Sequence, residues 1–170
     1  MKKVIITVLS LVVISFLFTL LFGYSLVVNP NEKLDLAEMN CEDGEINPFD
    51  SFNFSEGSWK MYVQINSSDI NELPESIRRV NCLKTTDINV LQNIKNNWNF
   101  SCSEGADAST VESKVYLLKD GEVVFESGIV ISEAIEGLQN SSFGWIHSNE
   151  QLISKELAKF DRVYSPIVFL

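Results

Sequence analysis

Residues 111–131 read VESKVYLLKDGEVVFESGIVI. Val111 to Leu118 and Glu122 to Ile131 are β-type runs on either side of Lys119-Asp120-Gly121. Asp-Gly between two such runs is a hairpin signature, because a tight primed turn needs positive φ at both of its central residues. The segment predicts two long antiparallel strands, and the rest of the chain is read around them.

Upstream, Trp59-Lys60-Met61-Tyr62-Val63-Gln64-Ile65 alternates apolar and polar residues and predicts another strand. Asp69 to Val80 reads as a short helix, with Pro74 in or before its first turn. Asn81 to Thr86 reads as a short strand. Asp87 is a good N-cap for a helix on which Ile88, Leu91, Ile94 and Trp98 recur at helical spacing. Phe100 to Ser103 is a further strand candidate, followed by a Gly/Ala/Ser loop to about Thr110. Downstream, Ser132 to Leu138 and Asn149 to Phe160 read as helices, the second with Leu152, Leu157 and Phe160 as its buried stripe. Arg162 to Leu170 closes the chain as an apolar strand bent at Pro166. The sum over residues 57–170 is one α+β domain with a mostly antiparallel sheet and two to four helices.

The N-terminal end is different. Val4 to Val28 contains no charged residue, and Lys2 and Lys3 precede it. Such a run is long for a cleavable signal and long enough to span a ~30 Å hydrocarbon layer. Residues 1–28 are therefore expected to form a signal anchor, a single transmembrane helix with its N-terminus cytoplasmic by the positive-inside rule. The alternative is secretion after cleavage near Ser25, with Gly23 and Ser25 as the small residues. Cys41 follows Glu38-Met39-Asn40, which excludes a lipidation site. Residues 29–56 hold Glu32, Asp35, Glu38, Glu42, Asp43, Glu45, Asp50 and Glu56 and read as an acidic juxtamembrane linker. Phe49, Phe52 and Phe54 are expected to dock it onto the domain.

The chain of 170 residues carries 13 Lys+Arg and 23 Asp+Glu, a formal net charge of −10, yet its mean hydropathy is +0.07. Uneven distribution explains this: without Lys2 and Lys3 the remainder has 11 basic and 23 acidic residues, a net −12. No basic surplus exists to neutralise phosphates, so a nucleic-acid partner is excluded. The expected address is the bacterial inner membrane, with the acidic domain in the periplasm.

The three cysteines are Cys41, Cys82 and Cys102. An odd count in an oxidising compartment predicts one bridge and one spare thiol. Cys82 and Cys102 are the expected pair, leaving Cys41 in the linker as an intermolecular thiol. His147 is the only histidine, which excludes multi-histidine metal sites. Around Gly44 the EF-hand ligand positions fall on Met39 and Cys41, so that pattern fails. No Walker, G-x-S-x-G, C-x-x-C or H-E-x-x-H sequence occurs. Neither catalytic residue, metal nor cofactor is expected.

The unusual loop is Phe143-Gly144-Trp145-Ile146, bounded by Asn140-Ser141 and Ser148-Asn149. It reads as a core plug or, if exposed, as a partner contact through Phe143 and Trp145. The functional expectation is a non-enzymatic accessory or regulatory partner of another envelope protein, acting by protein–protein contact. Behind it stand an immunity or inhibitor protein that neutralises a basic toxin or enzyme, and a periplasmic hydrolase with a carboxylate site.

Overall fold

The computed structural model describes all residues except 1, 31–38, 40–43, 71–72, 76, 78–79, 103–110 and 133. The order along the chain is α1 (Lys2–Phe22), β1 (Leu26–Val28), β2 (Glu45–Ile46), β3 (Trp59–Gln64), β4 (Cys82–Thr85), α2 (Ile88–Asn97), β5 (Phe100–Cys102), β6 (Lys114–Lys119), β7 (Glu122–Ile131), β8 (Glu136–Asn140), β9 (Gly144–Ser148), α3 (Leu152–Leu157), β10 (Asp161–Arg162) and β11 (Ile167–Phe169). Nine strands form one antiparallel sheet in the order β10-β4-β3-β6-β7-β8-β9-β5-β2. The other two, β1 and β11, pair in parallel as a separate ribbon.

The hairpin at residues 111–131 is the centre of this sheet. Asp120 and Gly121 both have positive φ, 53° and 93°. The turn is tied to the start of β3: the Ser58 N–H donates to Asp120 Oδ1 at 2.8 Å, and the Asp120 N–H donates to the Ser58 carbonyl at 2.8 Å.

Alternation puts Met61, Val63, Val115, Leu117, Phe125, Ile129, Leu138 and Ile146 on one face of the sheet. The buried sides of α2 (Leu91, Ile94) and α3 (Ile153, Leu157) cover that face. Asp87 caps α2 as expected, accepting from the Asn89 N–H at 2.8 Å. Phe49 and Phe54 lie inside this core, with Phe49 4.9 Å from the Phe125 ring and 5.4 Å from Trp98. Edge-to-face aromatic contacts of this kind add stability beyond the area they bury.

On the opposite face, the described residues cover the centre. There Val27 and Leu170, from β1 and the residue after β11, pack on Tyr116, Leu118 and Val123. Asn81 fixes the entry into this ribbon. Its side chain accepts from the Ser25 N–H at 2.6 Å and donates to the Ser25 carbonyl at 3.0 Å, while its own N–H donates to the Gly23 carbonyl at 2.9 Å.

The transmembrane and signal-anchor expectations are corrected here. Among the described residues no helix is long and apolar enough to cross a membrane. Beyond Phe22 the apolar run does not continue as helix: Gly23 turns with φ 67°, and Leu26–Val28 is a strand.

Two secondary-structure expectations also change. Ser132–Leu138 is not a helix, since β8 occupies Glu136–Asn140 between β7 and β9. Asp69–Val80 has no helix among its described residues, and residues 71–72, 76 and 78–79 lie outside them.

The expected Cys82–Cys102 bridge does not form. Cys82 is a buried free thiol, whereas Cys102 is disulfide-bonded. Five strands separate β4 from β5 in the sheet, which puts these cysteines about 29 Å apart along it, against a ~7 Å Cα limit for a disulfide. Cys41, the expected intermolecular thiol, lies outside the described residues.

Candidate contact site on the outer face of the sheet

The β8–β9 hairpin is shaped by Asn140. Its Oδ1 accepts from the Ser142 N–H at 2.9 Å and from the Phe143 N–H at 3.2 Å, which closes the turn. Gly144 leaves the turn with φ 71°. From there alternation separates the aromatic residues. Phe143 packs against the core, its ring 6.4 Å from Phe125 and inclined by 19°. Ile146 is fully buried in that core. Trp145 and His147 therefore fall on the other face, where they are half-buried. The two residues singled out for partner contact are thus divided between core and surface.

The shelf around Trp145 depends on Gly137. A Cβ there would collide with the Ile146 carbonyl and come within 2.7 Å of Trp145 Cη2. The indole lies across the glycine, and only hydrogen at that position lets it do so. The Trp145 and His147 rings are parallel to within 4°, with centroids 6.3 Å apart. Register places Gln139 opposite Trp145 and Ser101 opposite His147, with Glu45 next to Ser101. The ribbon that covers the centre of this face packs on β6 and β7.

Glu45, Ser101 and His147 occupy one row across three strands, so a hydrolytic reading can be tested. A nucleophile–histidine–acid relay requires the histidine in the middle, oriented by the acid through Nδ1. Here the serine is in the middle, and His147 Nδ1 is buried without a hydrogen-bond partner. Among the described residues no acid orients this imidazole.

Other chemical groups are engaged in structure. Burial pushes the Cys82 thiol up to about 12, so it is protonated and inert at neutral pH. Glu136 is 1% exposed, and its carboxyl is raised by burial, opposed by hydrogen bonds from Ser154 and Ile153. Both of its oxygens accept backbone N–H groups from the first turn of α3, so this carboxylate secures a helix. A shallow cavity of about 280 Å³ beside α3 is lined, among the described residues, by Pro74, Gln151, Ser154, Lys155 and Ala158, none of them a carboxylate. Among the described residues no group of three or more His, Cys, Asp or Glu is placed to hold a metal ion.

Sequence reasoning missed Asn81, Glu136 and Gly137. Glu136 and Gly137 sat in a stretch read as helix. For Asn81 the available signal was a lone polar residue before an apolar strand. No known protein family, characterised protein or solved structure matches the chain.

Proposed function

We propose that the protein acts by protein–protein contact, as an accessory or regulatory partner of another protein in an oxidising, extracytoplasmic compartment. The observation that carries this reading is Trp145, half-buried and held flat against Gly137 on the face of the sheet away from the core. A rigid, half-exposed indole with polar neighbours Gln139 and Ser101 has the character of an interface anchor, since such residues contribute much binding energy at little entropic cost. The disulfide at Cys102 supports the compartment.

Paired substitutions test the reading. Trp145→Ala should leave the protein folded, with a urea midpoint no lower than that of Phe143→Ala, and abolish co-purification of the partner from native cells. Phe143→Ala should lower the midpoint and, below it, preserve binding. Retention of the partner by a folded Trp145→Ala protein would refute the assignment.

A further inference from the structure

The ribbon of β1 and β11 has a second face. Register pairs Leu26 with Ile167, Val27 with Val168, and Val28 with Phe169. Val27 packs inward on Tyr116, Leu118 and Val123, and Val168 is buried. Alternation then turns Leu26, Val28, Ile167 and Phe169 outward; Leu26 is 60% and Phe169 71% exposed. All four are apolar. Two-stranded ribbons are marginal alone, and parallel pairs are normally covered on both faces.

This face runs directly into α1. The helix ends at Phe22, and only Gly23, Tyr24 and Ser25 precede Leu26. Fourteen large apolar side chains from Val4 to Phe22 are each at least 48% exposed. Among their hydroxyl neighbours, Thr7, Ser10 and Thr19 are satisfied within the helix, donating to the carbonyls of Lys3, Ile6 and Ser15. The helix and both ribbon strands contain no carboxylate side chain, so the acidic surplus lies elsewhere. Because α1 is apolar all round, about half of its exposed side chains can face one partner together with the four of the ribbon; at roughly 100 Å² each they offer about 1,000 Å². A monomer normally leaves patches of only a few hundred Å², and a standard interface takes about 800 Å² from each partner.

We propose that α1 and the outer face of the β1–β11 ribbon form the interface between two copies of this chain, related by a two-fold axis. The area matches what a stable dimer needs, and the charged residues of α1, Lys2 and Lys3, stand in its first turn outside the apolar run. In an isologous contact each residue near the axis meets its own counterpart.

The test is the mass of the intact chain in buffer free of detergent and lipid, by light scattering on a sizing column. The expected value is twice 19.2 kDa. The double variant Ile167→Lys/Phe169→Lys changes only exposed side chains; it should retain the urea midpoint and weaken dimerisation about 100-fold or more. Phe169→Cys should give a 169–169 disulfide dimer on mild oxidation. A monomer, polydisperse aggregates, a dimer indifferent to the lysine substitutions, or a chain that becomes monodisperse only inside detergent micelles or on lipid vesicles would overturn the proposal.

Discussion

Replacing Asn81 by alanine tests the way the two ends of the chain are joined. Asn81 is 7% exposed and Ser25 is 4% exposed, so the polar groups between them are shielded from water. The substitution removes the acceptor for the Ser25 N–H, held at 2.6 Å, and the donor to the Ser25 carbonyl, at 3.0 Å. It leaves the backbone bond from the Asn81 N–H to the Gly23 carbonyl intact. A buried group left without its partner costs about 1–3 kcal/mol, and partial entry of water lowers the sum for two such groups to about 2–4 kcal/mol. With a urea slope of about 2 kcal/mol/M for a domain of this size, the midpoint should fall by about 1–2 M. The loss should be felt first in the ribbon, so amide exchange at Val168 and Leu170 should accelerate before exchange in β6 and β7. Equilibrium urea unfolding and hydrogen exchange on the same samples supply both readouts. A midpoint shift equivalent to less than about 0.5 kcal/mol, or unchanged protection at Val168 and Leu170, would refute the claim that Asn81 fastens the ribbon.

Other perturbations act on independent features. Gly137→Ala should cost roughly 2–4 kcal/mol by urea unfolding, since the new methyl meets backbone and the Trp145 ring, and should also change Trp145 fluorescence. Glu136 titrates higher in the folded protein than in the unfolded chain because it is buried. Its contribution is therefore fully present below the unfolded value of about 4.3 and is lost as pH rises through the folded value. The part of the stability–pH slope that disappears in Glu136→Gln should have this sign, as read by urea melts across the acidic range. An alkylating reagent should label neither Cys82 nor Cys102 in the native protein. After unfolding without reductant it should label Cys82 and not Cys102, checked by peptide mass mapping.

The sequence and the structure agree where local chemistry and tertiary packing favour the same answer. The 111–131 hairpin was legible because Asp120-Gly121 suits only a tight turn and the flanking runs suit only strands. Asp87 announced α2 for a similar reason, since its carboxylate caps an amide within the same turn. Strand β8 was hidden because Ser132 to Leu138 has unremarkable helix propensity. Its strand state comes from Gly137, which lets Trp145 close over it, and from Glu136, which must point inward to hold α3. The ribbon was hidden differently. Leu26–Val28 ends a continuous apolar run, and such a run carries no period that separates strand from helix. The cysteine pairing failed because nearness along the chain says nothing about sheet order, and β4 and β5 lie toward opposite ends. Of the proposed contact residues, Trp145 was visible as an unusual aromatic beside glycine. Its separation from Phe143 follows only from the strand register.

The central claim, that Trp145 marks the working surface, is tested most directly by placing a photoreactive phenylalanine analogue at position 145 in the intact chain and irradiating living cells. The control places the same analogue at Lys155, on the opposite side of the sheet where α3 packs. The account predicts one dominant adduct with a different protein from position 145 and none of that adduct from position 155. No adduct at 145, or the same adduct from both positions, would contradict it.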